Sequence, residues 1–170
     1  MQKIKLLLVF TLLLFSTVSF SQIKNDTVHV VSWTDEMTGE SYLSATHQIV
    51  LNDLRDDSKG FTIKMIFANK LTLMTKMYGI GGCNEKDILN ILLENGEKIA
   101  MESWKKFNCD GEGYFTLDDD MVNKLRSSPL SKVRITNGRS SEILQANVDN
   151  QKKYFIQLFN SYYSGNYLKK

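Results

Sequence analysis

Catalysis by a side-chain nucleophile needs a base within reach, and this 170-residue chain offers two histidines, His29 and His47. His29 sits among valines in a stretch that reads as a strand, where a histidine usually packs or lies at an edge. His47 is in a polar stretch with no acid beside it. Neither a Gly-x-Ser-x-Gly elbow nor a His-Glu-x-x-His pair is present. A thiol nucleophile would have to be Cys83 or Cys109, the two cysteines. In an oxidising compartment such a pair is bridged rather than free, and the bridge would close a loop worth about 3.5 kcal/mol. Two histidines and a bridged cysteine pair make a poor zinc set. Gly79-Ile80-Gly81-Gly82 lacks the Lys-Ser/Thr of a phosphate loop and reads as a bend that brings Cys83 into place. No catalytic residue is assigned and no cofactor is expected. Paired carboxylates for hydrolysis remain open, because folding rather than spacing brings such acids together.

One segment does carry ligand spacing. From Asn108 to Asp119 the sequence resembles the EF-hand calcium loop. Oxygen-bearing side chains fall at loop positions one, three and five (Asn108, Asp110, Glu112). Gly113 stands at six, Phe115 at eight, Thr116 at nine and Asp119 at twelve. Alternation of this kind turns successive oxygens toward a hard cation, so the resemblance implies Asn108, Asp110, Glu112 and Asp119 as metal ligands. The pattern departs from the family at Asn108, where Asp is usual, at Glu112, and at Asp119 in place of a bidentate Glu. The competing reading is a Gly- and Asp-rich turn between two strands.

The elements that must position these residues read mainly as strands. Residues 27–33 are β-branched and aromatic, 35–39 make a turn, and 41–46 return. Phe61, Ile63, Met65 and Phe67 alternate with Thr62, Lys64 and Ile66 over 61–68, and Leu71, Leu73, Thr75 and Met77 repeat the period over 71–78. Asn95-Gly96 predicts a hairpin with a two-residue turn between 88–94 and 97–104. That register sets Leu92 opposite Ile99 and Cys83 opposite Asn108. A helix over 85–94, capped by Asn84, is the alternative. Residues 114–117 form a short strand, and Asp118 caps a helix through 126. Asn137-Gly138 predicts a second hairpin between 130–136 and 140–147. Asp149 or Asn150 caps a last helix whose Tyr154, Phe155, Leu158, Phe159, Tyr162 and Tyr163 form a stripe for docking on a sheet.

The fold class that follows is α+β: mostly antiparallel strands, roughly six to eight in a sandwich or curved sheet, with a short helix and a C-terminal amphipathic helix packed on the sheet. Residues 1–21 read as a secretory signal peptide, with Lys3 and Lys5, an apolar run from Leu6 to Leu14, and Ser19 and Ser21 at the cleavage site. Residues 22–170 form one globular domain, with no transmembrane segment in the mature chain, in the periplasm or outside the cell. Without Lys3 and Lys5 the chain carries nineteen bases and nineteen acids, which argues against a nucleic-acid partner. Residues 85–120 hold ten acids against four bases and 121–170 nine bases against two acids, so the two segments are expected to face each other. The functional expectation is a non-catalytic binding or structural module of the cell envelope, its partner an envelope protein or a glycan. A hydrolase using dispersed carboxylates and a calcium-stabilised module at 108–119 are the alternatives.

Overall fold

The structure is a computed structural model that describes residues 27–67, 70–80, 83–104, 107–165 and 167–169. The expected signal peptide and Gly81-Gly82 lie outside the described residues. Strands β1 (Val30–Thr34), β2 (Ser41–Ala45), β3 (Ile49–Asn52), β4 (Gly60–Phe67), β5 (Leu71–Tyr78), β8 (Glu112–Thr116) and β11 (Leu168–Lys169) build a seven-stranded sheet. Its order is β11-β1-β2-β4-β5-β8, and β3 pairs with the first half of β4. Strands β6 (Ile88–Leu93), β7 (Lys98–Glu102), β9 (Leu130–Thr136) and β10 (Ile143–Asn147) form a four-stranded sheet in the order β10-β9-β6-β7. Helix α1 (Asp119–Ser127) follows β8, and α2 (Tyr154–Ser164) follows β10. The architecture is the expected α+β, mostly antiparallel one; the pairing of β1 with the short terminal β11 is parallel.

Alternation explains the packing. Phe61, Ile63 and Met65 on β4 and Leu73 and Thr75 on β5 are buried on one face of the large sheet. Opposite them, Leu89, Ile91, Val133, Ile135 and Leu144 line the inner face of the small sheet. Helix α2 adds Tyr154, Phe155, Leu158 and Phe159 to the same core, each worth about 1.5–3 kcal/mol of burial. Its Tyr162 stacks on Phe67 with ring centroids 4.8 Å apart, and its Ser161 Oγ accepts the Val30 amide at 2.9 Å. The aromatic stripe is thus the docking face over most of its length, with Tyr163 at the exposed end.

Helix α1 begins as expected, with Asp118 Oδ1 accepting the Met121 amide at 2.8 Å. Three local readings are corrected. The 88–102 segments do form a hairpin, but Ile91 faces Ile99 and Leu92 faces Lys98. The loop therefore holds three residues, Glu94 to Gly96, with Leu93 N donating to Glu97 O and Gly96 at φ +87°. This is a turn closed by a left-handed glycine, and it shifts every pairing by one. Asn137-Gly138 makes no two-residue turn either. Thr136 pairs with Ile143, Asn137 Oδ1 accepts the amides of Arg139 and Ser140, and Gly138 N donates to Asp87 Oδ1. That long-range bond, together with the close approach of Gly138 to the carbonyls of Glu85 and Lys86, outweighs the hairpin preference. Finally, α2 starts after Lys153 with no side-chain cap, not at Asp149 or Asn150. Lys152 O accepts the Leu130 amide, so the chain stays tied to β9 until the helix begins.

Candidate functional site

The two cysteines are joined in a disulfide, with Cα atoms 3.9 Å apart. The spacing is closer than the about 4.4–6.8 Å expected of a disulfide. Asn84 pairs with Asn108 in an isolated antiparallel bridge, which puts Cys83 opposite Cys109 rather than opposite Asn108. Beside it lies a buried polar knot. Asp87, fully buried, accepts from Asn84 Nδ2 and Gly138 N, while its own amide donates to Ser103 Oγ at 2.8 Å. The knot ties β6, β7 and the 137–142 loop together.

The four residues of the calcium-like loop do not turn inward on a common centre. Asn108 Oδ1 accepts the amides of Asp110 and Glu112 at 3.1 and 3.3 Å, and its Nδ2 donates to Glu112 O. Glu112 begins β8, where its carboxylate accepts the Tyr114 hydroxyl at 2.7 Å and lies 3.6 Å from Lys76 Nζ. Asp119 is exposed in the first turn of α1. Among the described residues no group of three or more His, Cys, Asp or Glu side chains is placed to hold a metal ion.

Among the described residues, acids from the loops next to β3 and β10 gather in one place. A cavity of about 440 Å³ is lined by Asp53, Arg55, Asp56, Lys59 and Glu142. Asp53 is buried; burial by itself would raise its pKa. Hydrogen bonds from the Arg55 side chain and from the amides of Gln145 and Arg55, with the Arg55 charge, outweigh this and hold it below the ordinary carboxylate value. Lys59 Nζ lies 3.0 Å from Glu142 and 4.0 Å from Asp56. Each acid has a cation partner, which makes the cluster a structural clamp between β3 and β10. A larger polar groove of about 1090 Å³ runs alongside, past His47, Asn52, Asn147 and the start of α2. The expected compensation between the acidic and basic segments has two ion pairs among the described residues, Glu94 with Lys152 at 2.9 Å and, within α1, Asp120 with Lys124 at 2.5 Å.

The outer face of the large sheet is different in kind. Trp33 and Tyr42 are cross-strand partners whose rings stack at 4.8 Å, and they are 41% and 40% exposed. Trp104, 50% exposed, stacks on Tyr114 at 5.5 Å. Its indole N–H donates to Thr116 Oγ1 at 2.8 Å, and its amide donates to Tyr114 O at 2.8 Å, which fixes the ring against β8. Register places both pairs on one face: Trp33 shares it with Val31, Ser44, Ile66, Thr72 and Thr116, and Tyr114 with Met74 and Lys64. From β2 to β8 is three strand spacings, about 14 Å. Acids stiffen the phenols. Glu40 accepts the Tyr42 hydroxyl and Glu112 that of Tyr114, each raising the phenol's pKa, with burial adding to the effect. Sequence reading took Trp33 and Trp104 as strand formers alone. Alternation from Val31 to Trp33 was the available signal, but the β1-to-β8 path that gathers the pairs is long-range.

Protein-family models, curated proteins and solved structures give no match to this chain.

Proposed function

We propose that this chain is an exported, non-catalytic binding module that holds a glycan across the outer face of its large sheet. The observation that carries the reading is the placement of two stacked Trp–Tyr pairs on one face, with hydroxyl-bearing side chains between them. A pyranose ring presents an apolar C–H face edged by hydroxyls. The C–H groups are attracted to the electron-rich face of an indole or phenol, and Ser44, Thr62 and Thr116 stand part-exposed on the same face, where hydroxyls would meet a sugar's. Export is supported by the charge and apolar pattern of residues 1–21 and by a disulfide, which suits an oxidising compartment. No helix among the described residues is long and apolar enough to cross a membrane.

Both tryptophans of the chain lie on this face, so their fluorescence reports binding directly. Titration of the purified protein with a panel of soluble polysaccharides should change that emission saturably for at least one of them. Trp33→Ala and Trp104→Ala should each weaken binding by about tenfold, the equivalent of one stacking contact, while far-UV circular dichroism stays unchanged. A wild-type protein that binds none of the panel, or folded variants that bind as well as wild type, would overturn the reading.

A further inference from the structure

The charge on the same face narrows the ligand. We propose that the glycan is acidic, a polysaccharide carrying carboxylates, and that Lys64 is the residue that reads its charge; this rests on the glycan reading of the face.

Lys64 stands at the middle of β4, opposite Met74 and one further strand from Tyr114. Thr62 and Ile66 flank it on the same face. It is half-buried. On one side of β4, β3 pairs only as far as Ile63 and β2 only from Ile66, so Lys64 occupies the gap between those two ladders. Three other cations near this sheet have their charge answered: Lys76 by Glu112, Lys59 by Glu142 and Arg55 by Asp53. The Lys64 side chain has no ion pair or hydrogen bond within the described residues. An ammonium without a counterion on this face is open to pairing with an arriving anion. Lys64 lies in the same cross-strand row as Tyr114, two strands away across Met74, so a chain stacked on Tyr114 and running over β5 and β4 would meet it. A carboxylate there gains a charge-assisted hydrogen bond, about twice as strong as a neutral one. Glu112 opposes this least, since its two oxygens are engaged by Tyr114 and Lys76.

The test compares two polymers that differ in charge alone, polygalacturonate and its methyl ester, by tryptophan fluorescence titration of the whole exported protein. The free acid should bind about tenfold more tightly at low salt, and the advantage should shrink as ionic strength rises. Lys64→Gln should abolish the preference and leave the weaker binding of the ester intact. Lys64→Arg should keep it, which separates charge from a general effect on the fold. Equal affinity for the two polymers, or a preference that survives in K64Q, overturns the acidic assignment and leaves the glycan reading standing. Failure of both polymers to bind overturns the acidic assignment, and the glycan reading falls with it only when the rest of the panel fails as well.

Discussion

Asn84 and Asn108 exchange both of their backbone hydrogen bonds, at 2.7 and 3.1 Å, and thereby set Cys83 directly opposite Cys109. A residue pair next to such a bonded pair is a non-hydrogen-bonded one, the class in which antiparallel Cα atoms come closest. The disulfide is therefore seated by backbone pairing and does not have to create it.

Removing the bridge should cost stability without dissolving the fold. Closing a loop of 26 residues is worth about 3.5 kcal/mol in the chain-entropy model. The double variant C83S/C109S should show a loss of that order in urea unfolding, with its far-UV spectrum intact. A spectrum lacking β-structure would show that the bridge, and not the Asn84–Asn108 pairing, organises this end of the sheets.

Asp53 should make stability pH-dependent with a definite sign. Its folded-state pKa is depressed, so its contribution is present above the unfolded carboxylate value of about 3.9 and is lost as pH falls through the folded value. Asp53→Asn should destabilise the protein by about 1–3 kcal/mol at pH 7. The gap between variant and wild type should close below about pH 4 in denaturant titrations run across pH. A gap that is constant with pH would mean that shape rather than charge is what Arg55 and the Gln145 amide recognise.

Two glycines in loops at opposite ends of the small sheet should respond differently to alanine. Gly96 is left-handed with open space around it, so Gly96→Ala should cost about 1 kcal/mol from backbone strain alone. At Gly138 a Cβ would collide with the backbone carbonyls of Glu85 and Lys86. Gly138→Ala should cost about 2–3 kcal/mol and loosen the bond to Asp87, readable as faster amide exchange at position 138.

Calcium should leave the melting temperature nearly unchanged. Asn108 Oδ1 is spent on two backbone amides and Glu112 on Tyr114 and Lys76, so a cation would have to break these bonds to be bound. Melts with calcium and with chelator should coincide. A shift above roughly 10 °C, several kcal/mol for a chain of this size, would instead support the EF-hand-like reading of Asn108, Asp110, Glu112 and Asp119.

What the sequence determined by itself is the local half of the fold. Period-two alternation in Phe61, Ile63, Met65 and Phe67 decides which face of β4 is buried, because successive side chains on a strand point to opposite sides. Asp118 starts α1 because its carboxylate satisfies an amide three residues on, a purely local bond. Ile49–Asn52 escaped notice because four residues are too few to show a period. Tertiary structure decided the rest, through contacts between residues far apart in the chain. The left-handed Gly96 and a three-residue loop shifted the β6–β7 register by one, and a bond from Gly138 to Asp87 overrode the turn at Asn137. Partners were assigned the same way: Asp53 was committed to Arg55 and Gln145, while Lys64 was left without an ion pair among the described residues. The aromatic face exists only because β2, β4, β5 and β8, which begin and end over 70 residues apart, lie side by side in one sheet; no local pattern specifies which strands become neighbours.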